Sequence, residues 1–285
     1  MESEHYIGDG ITARFCDTTG AVELYADDGI LDCDWKEKIR IDKREIKSIR
    51  VAEGRLFLPR NSYGLFENLY NVQQIDMTGM DATDVRDTGH MFKGCSQLHE
   101  INMNGFNTSG IVSMKAMFAG CQELTYIELK DFDTSNVMDM NHMFHDCRSL
   151  INLNLSSFNT SRVVNMSGMF AFCGSLTALD LKNFNTSKVT DMGCMFDDCC
   201  SLTNLDLNGF DTSNVTNMGF MFYNCGNLAS LDLTKFGFKN VKNMQCMFCG
   251  CTKMRIISMG SNVIDADTET SGMFGGCRLD LRVHI

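Results

Sequence analysis

The segment from Phe184 to Cys225 reads FNTSKVTDMGCMFDDCCSLTNLDLNGFDTSNVTNMGFMFYNC, and its second half nearly repeats its first. The repeated unit contains a Met-Phe pair, and a cysteine follows the Met after four positions. Along the chain this pair recurs every 26 residues without an insertion. Self-similarity at such a fixed period is typical of a solenoid. The pairs begin at Met91, Met117, Met143, Met169, Met195, Met221, Met247 and Met273.

Each unit also carries the pattern L-x-x-L-x-L, as in residues 176–181. Its alternating part predicts a short strand with one buried face. A single unit cannot bury its apolar edge alone, whereas stacked units share one continuous core. We therefore predict an α/β-type solenoid in which each 26-residue turn places one short parallel strand on the concave face. The rest of each turn is expected to be irregular or to form short helices on the convex side.

The register of this pattern divides the chain into two parts. It extends upstream to Ile46 and downstream to Ile285, so residues 46–285 are predicted to form about nine to ten rungs, the last acting as a C-terminal cap. Residues 1–45 lack the Met-Phe and cysteine signature. They are predicted to form an N-terminal cap, because the open end of a solenoid core needs a cover.

The two ends carry local signals of their own. AVELYADDGILDCDW, residues 21–35, predicts two strands joined by a hairpin turn at residues 27–29. The basic residues between 36 and 50 belong to the cap or, alternatively, form a contact site. At the other end RLDLRVHI, residues 278–285, alternates apolar and polar side chains, as expected of an edge strand with a charged outer face. Several copies also contain the tetrapeptide F-N-T-S or F-D-T-S, as at Phe158 and Phe210. In the last unit Asn262 lies at the position of this Phe.

The run LDLNGFDTSNVTNMGFMFYNCGNL, residues 205–228, resembles the 26-residue repeat of BspA-like leucine-rich-repeat proteins. These are bacterial surface proteins, with relatives among mycoplasma lipoproteins and protist surface proteins. The resemblance covers residues from about 46 to 285. It implies a right-handed leucine-rich-repeat solenoid that binds other macromolecules, with members associated with adhesion to host proteins or other cells. It implies no catalytic residues.

The formal net charge of −11 bears on the class of partner. Nucleic-acid-binding proteins normally present a basic stripe, so a nucleic-acid partner is not expected. No apolar run approaches the length of a transmembrane helix, so membrane insertion is not expected either. The start MESEHYIGDGITARF has neither the basic nor the apolar region of a signal peptide. A cytoplasmic location therefore stands beside the cell-surface or secreted one that the resemblance implies.

Fourteen cysteines bear on the same question. Eight follow the Met-Phe pairs and are interpreted as small, buried apolar residues. CMFCGC, residues 246–251, raises the alternative of a zinc site. However, Cys251 belongs to the repeat and position 246 varies between copies, so we predict no metal site and no cofactor. Many free thiols fit a reducing cytosol, or an anaerobic habitat in which surface thiols survive, better than an oxidising compartment.

Sequence motifs of known enzymes are missing from the chain. There is no G-x-S-x-G, phosphate-binding loop, dinucleotide fingerprint or H-E-x-x-H. His142 and His145 form H-x-x-H, but the next copy has Gly168 and Ala171 at these positions. The protein is therefore predicted not to be an enzyme.

The candidate binding site is the outward-facing column of the predicted strands. Five of its ten positions carry carboxylates, so the column forms an acidic stripe. Solenoid curvature creates extended concave surfaces of the kind that bind partners. The candidate site residues are Asp76, Tyr126, Glu128, Lys130, Asp180, Lys182, Asp206 and Asp232.

Three functions remain open. The first is a noncatalytic, adhesin-like surface protein that recognises a host or neighbouring-cell macromolecule through this face. The second is an intracellular repeat protein that regulates or inhibits a protein partner, which the free thiols and the missing leader favour. The third is a metal-dependent module, with calcium at the aspartates or zinc at Cys246.

Overall fold

The computed structural model describes residues 2–260 and 264–284. Asn262 and Ile285, whose places in the repeat were predicted, lie outside the described residues. The described elements are β1 (Glu2–Gly8), β2 (Ile11–Cys16), β3 (Ala21–Ile30), α1 (Trp35–Lys38), a 3₁₀ turn (Lys43–Glu45), β4 (Ser48–Phe57), β5 (Gln74–Asp76), β6 (Met80–Asp81), β7 (Glu100–Asn102), β8 (Ser230–Asp232), β9 (Ile256–Ser258) and β10 (Arg282–His284).

The chain forms a β-solenoid whose coils follow the 26-residue period, as predicted. At its N-terminal end β1, β2 and β3 pair antiparallel, and β3 then pairs in parallel with β4. The predicted hairpin turn at residues 27–29 is wrong, because β3 runs through it. Asp28 instead has a φ of 55°, and the register between β3 and β4 shifts beside it. The turn-forming residues therefore make a bulge within a strand.

The coils are joined continuously along the arm that carries the Met-Phe pairs, here called the Met-Phe arm. In every coil the backbone N–H of the Phe donates to the carbonyl of the next coil's Met at 2.8–3.0 Å. The rings of these Phe residues stack at 5.4–6.0 Å from Phe66 to Phe274. Parallel pairing fixes the spacing of neighbouring chains at about 4.8 Å, and the rings follow that spacing. This arm is the structural spine of the molecule.

A column of polar side chains lies beside the spine. Its residues form parallel bridges from one coil to the next, and Asp191 Oδ1 accepts the backbone N–H of Gly193 at 2.9 Å and the Asn217 side chain at 2.9 Å. No two neighbouring coils both place a carboxylate here, which avoids repulsion between like charges one coil apart. The column consists of Asn61, Asp87, Ser113, Asp139, Asn165, Asp191, Asn217, Asn243 and Glu269.

The L-x-L strands pair less regularly than predicted. Parallel strands form in the first coils, where β4 pairs with β5 and β5 with β7, and in the last ones, where β8, β9 and β10 pair. In the four coils between β7 and β8 no strand forms among the described residues, and the L-x-x-L-x-L segments are joined across coils by a single backbone bond, from the Ile151 N–H to the Thr125 carbonyl at 3.2 Å. Leu153 and Leu179 in these coils are nevertheless buried. The apolar face is thus kept by packing, while the continuous ladder lies on the Met-Phe arm.

The F-N-T-S and F-D-T-S segments, such as residues 158–161, form turns held by their own side chains. Asn159 Oδ1 accepts the backbone N–H of Ser161 at 3.1 Å, closing a local turn. Thr134 is fully buried, and its hydroxyl accepts the backbone N–H of Asn159 and donates to the Asn159 carbonyl. Because the hydroxyl both donates and accepts, it satisfies two backbone groups that have no ladder partner.

The eight cysteines that follow the Met-Phe pairs, here called the ladder cysteines, form hydrogen bonds as well as filling the core. All eight thiols donate to the carbonyl oxygen of a Phe in the preceding coil, at 3.1–3.3 Å. For example, Cys199 donates to Phe170. All fourteen cysteines lie in the described ranges and are free. Cysteine combines a small apolar volume with a weak donor, which explains why it recurs at a buried position facing a carbonyl.

The N-terminal end of the spine is closed by α1. Ladder carbonyls of the first coil point away from the second coil, so they need other donors. Trp35 Nε1 donates to the Leu65 carbonyl at 2.9 Å, and the buried Lys36 ammonium donates to the carbonyls of Gly64 and Glu67 at 2.9 and 3.1 Å. These bonds support a capping role for this segment. The neighbouring basic side chains that are ion-paired are Lys38, Lys43, Arg44, Arg50 and Arg55.

The C-terminal end is more open. Phe274, the last ring of the stack, is 37% exposed, whereas Phe248 one coil earlier is fully buried. The predicted edge strand forms only over Arg282–His284, as β10; Val283 within it and Leu279 before it are exposed. The two ends of the solenoid therefore differ in how completely they cover the core.

Candidate functional site

The predicted site residues lie along one side of the solenoid, the L-x-L face, defined by the outward side chains from Asp76 to Asp232. Its carboxylates also serve the fold: Asp180 Oδ1 accepts the backbone N–H of Lys182 at 3.2 Å, and Asp232 Oδ1 that of Thr234 at 3.0 Å. The bond from the backbone N–H of Thr234 holds the pKa of Asp232 below its ordinary value. Both side chains are exposed, so one carboxylate oxygen is fixed by a turn and the other faces solvent.

Asparagine makes the same turn elsewhere on this face. Asn102 and Asn154 accept the backbone N–H groups two residues later, each at 3.1 Å. Asp206 does so with Asn208, also at 3.1 Å. The oxygen is therefore needed by the fold at this position, while the negative charge is not.

Tyr126, Glu128 and Lys130 form a small cluster within the face. The Tyr126 hydroxyl donates to Glu128 Oε2 at 2.8 Å, and the backbone N–H of Lys130 donates to Oε1 at 3.1 Å. These bonds, that of Tyr126 first, hold the pKa of Glu128 below its ordinary value. Lys182 Nζ lies 3.8 Å from Asp180 Oδ2 with both side chains about three-quarters exposed, so this ion pair contributes little stability.

The face contains two shallow depressions rather than one cavity. The first, of 340 Å³, is lined by Arg50, Gln74, Asp76 and Glu100 among others. The second, of 210 Å³, lies between Leu153 and Asn183 and includes Asp180 and Lys182. The structure therefore brings Asp180 and Lys182 together and leaves Asp76 four coils away. An extended partner, rather than a compact small molecule, suits such a row.

Sequence reasoning missed a groove of 440 Å³ beside the Met-Phe arm. Small residues, including Gly94 and Ala119, form its floor, and Lys93, His145 and Asp146 are among its walls. The Nδ1 atom of His145 is buried without a hydrogen-bond partner in the described structure. Burial lowers the pKa of this histidine, which favours the neutral ring. The sequence signal for this groove is a pair of small residues, Ala119 and Gly120, at positions where the next copy has the larger His145 and Asp146.

Calcium at the aspartates or zinc at Cys246 would need several ligands around one point. Within residues 2–260 and 264–284, no group of three or more His, Cys, Asp or Glu side chains is arranged to hold a metal ion. In the same ranges no helix has the length and apolar character needed to span a membrane.

Solved structures similar to this chain include three bacterial leucine-rich-repeat proteins. The protein from Bacteroides ovatus is 19% identical, with 90% of this chain and 71% of that one covered and a TM-score of 0.39. The protein from Eubacterium ventriosum is 11% identical, with coverage of 97% and 95% and a TM-score of 0.31. The protein from T. pallidum is 16% identical, with coverage of 87% and 78% and a TM-score of 0.26. No curated protein matches the sequence.

The sequence also matches a known protein family over most of its length. One sequence family matches twice, over residues 61–178 and 169–280, which together span most of the chain. These ranges contain the whole spine of Met-Phe coils described above and the whole L-x-L face. The chain therefore belongs to the family described as "Mycoplasma protein of unknown function, DUF285".

Proposed function

We propose that the protein is a noncatalytic repeat scaffold that binds a protein or another macromolecule through the L-x-L face. The observation that carries this proposal is the row of Asp180, Asp206 and Asp232, in which a turn holds each carboxylate and leaves one oxygen exposed. Groups that are already oriented lose less conformational freedom on binding. An acidic row favours a partner that presents basic or hydrogen-bond-donating side chains. Asp76, Tyr126, Glu128, Lys130 and Lys182 would supply further contacts.

The resemblance to BspA-like proteins supports a finer version of this proposal. In that version the protein is displayed on a bacterial surface or secreted, and the partner belongs to a host or a neighbouring cell. Labelling of intact source cells with a membrane-impermeant amine reagent tests the location. Tagging of the native protein, with a cytosolic control untagged, is the expected result, and an untagged protein beside a tagged surface control would contradict it.

The binding face is tested by removing charge without removing the turns. Asp180→Asn, Asp206→Asn and Asp232→Asn in one variant keep the oxygen that accepts the backbone N–H, as Asn102 and Asn154 already do. Capture of partners from host or neighbouring-cell extracts, quantified by mass spectrometry, is expected to fall at least tenfold for partners specific to the native protein.

A matched control removes three exposed carboxylates outside this face, through Glu53→Gln, Asp84→Asn and Glu123→Gln. This variant has the same net charge as the first and is expected to retain capture. Equal capture by both variants would place binding elsewhere. Unfolding midpoints of both variants confirm that each is folded.

A second candidate function, intracellular regulation or inhibition of a protein partner, is favoured by the fourteen free cysteines. A count of thiols in protein isolated from its source under acid quench tests it. Fourteen free thiols per chain agree with a reducing compartment, and widespread disulfides would contradict an intracellular role.

A further inference from the structure

Two half-exposed thiols lie side by side on the Met-Phe arm. Cys246 and Cys249 flank the pair Met247-Phe248, and the backbone N–H of Cys249 donates to the Cys246 carbonyl at 3.0 Å. The turn begins with a φ of 51° at Cys246. A turn closed by this bond keeps its end Cα atoms within about 7 Å, which overlaps the 4.4–6.8 Å separation found in disulfides.

The same turn brings the corresponding side chains together in other coils. The rings of His142 and His145 lie 4.9 Å apart, and Lys93 Nζ lies 3.4 Å from His90 Nδ1. The closeness of the two thiols is therefore a property of the repeated turn. Only the coil containing Cys246 places cysteine at both positions.

The next coil places glycines, which have no side chain, beside the two sulfur atoms. At the equivalent positions it has Gly272 and Gly275, the only coil with glycine at both. A Cβ at Gly272 would lie 2.9 Å from the Cys246 sulfur, and one at Gly275 would lie 3.3 Å from the Cys249 sulfur. By contrast, the neighbouring Cys251 is buried in the core and donates to the Phe222 carbonyl. Access and proximity thus distinguish this pair from the ladder thiols.

We propose that Cys246 and Cys249 are a reversible dithiol, oxidised to an intramolecular disulfide by exchange with a low-molecular-weight disulfide such as glutathione disulfide. The thiolate of one cysteine attacks a sulfur of glutathione disulfide, forming a mixed disulfide and releasing one glutathione thiolate. The second cysteine, as thiolate, then attacks the protein sulfur of the mixed disulfide and releases the other glutathione. The protein loses two protons and two electrons, and one glutathione disulfide becomes two reduced glutathione molecules.

The experiment exposes the full native chain to graded ratios of reduced to oxidised glutathione, quenches with acid, alkylates under denaturing conditions and maps the peptides by mass spectrometry. The expected product is a peptide that links Cys246 to Cys249, has lost two hydrogens and carries no alkyl group. It should return to the dithiol on addition of excess reduced glutathione. Glutathione adducts that persist on either residue, pairing of either with another cysteine, or no reaction would overturn the proposal.

Three variants give the controls. Cys246→Ser or Cys249→Ser removes the resolving thiol, so the remaining cysteine is expected to accumulate the glutathione adduct. Asp197→Cys combined with Phe220→Gly and Tyr223→Gly reproduces, in the coil of Cys194, both the paired thiols and the glycines of the next coil, and this pair is expected to form a disulfide under the same conditions. If this folded variant forms none, the claim that the repeated turn supplies the geometry is wrong. The exposed Cys200 should appear only as an adduct or a free thiol in every variant.

Discussion

The Met-Phe arm and the L-x-L face run along the same coils and use their side chains differently. On the Met-Phe arm every coil is tied to the next by backbone bonds, stacked rings and a buried thiol. On the L-x-L face the four middle coils have no such ladder among the described residues, and polar groups point to solvent. The difference teaches that one arm can hold the stack together while the exposed positions of the other can vary without breaking it. Substitutions should then be costly on the first and tolerated on the second.

The largest expected effect is at the ring stack. Phe170→Ala removes a fully buried ring between two stacked neighbours and should lower the free energy of unfolding by about 3–5 kcal/mol. Phe172→Ala, two residues away and 37% exposed, is the matched control and should cost less than about 1 kcal/mol. Urea unfolding measures both. Similar losses for the two would remove the distinction between stack and surface.

Two adjacent cysteines provide the next comparison. Cys199 is buried and donates to the Phe170 carbonyl, whereas Cys200 is exposed. Cys199→Ala loses the volume of the sulfur and leaves that carbonyl short of a donor, for an expected cost of about 1–2 kcal/mol. Cys200→Ala should change the free energy of unfolding by less than about 0.5 kcal/mol. Equal effects in the same unfolding assay would mean that the thiol bond contributes nothing.

One carboxylate on the Met-Phe arm is expected to oppose folding at neutral pH. Burial raises the pKa of Asp197 to about 6 from its ordinary 3.8, and its Oδ1 atom is buried without a partner in the described structure. Because the folded state holds this proton more tightly, stability should be fully present below about pH 4 and fall as pH rises towards 6. Asp197→Ala should remove that decline. The preceding coil already has alanine, Ala171, at the equivalent position.

At pH 7 the gain from Asp197→Ala should be about 1 kcal/mol, less than the pKa shift alone implies, because the side chain is only half-buried and solvent screens its charge. Thermal unfolding between pH 4 and 7 measures it, with Asp84→Ala as an exposed control. A variant whose midpoint follows the native pH dependence would contradict an unfavourable carboxylate at this position.

The smallest effect is expected on the L-x-L face. Asp206→Asn retains the oxygen that accepts the backbone N–H of Asn208, so the free energy of unfolding should change by less than about 0.5 kcal/mol. Asp206→Ala removes that acceptor and should cost more. A loss with Asn as large as with Ala would show that the charge itself supports the fold, which would weaken its assignment to binding.

Much of this architecture could be predicted from the sequence because the same interior environment recurs in each coil. The period, the buried Met, Phe, Cys and Leu positions and the turns at the corners all follow from residue type and spacing. The hairpin at residues 27–29 failed, because a local turn signal was overridden by pairing of β3 with strands on both sides. The groove beside the Met-Phe arm was also missed, since its lining residues come from four successive coils.

The sequence by itself determined that the chain coils every 26 residues and which side chains fill each coil, because a repeated apolar pattern can be buried only by stacking. Only the tertiary structure decided which arm carries the continuous ladder. An alternating apolar pattern indicates which side chains are buried, but it does not indicate which backbone groups bond to the next coil. The tertiary structure also decided that Trp35 and Lys36 close the first coil, and that one hydrogen-bonded turn joins Cys246 and Cys249. Those contacts depend on distances and directions that residue spacing does not fix.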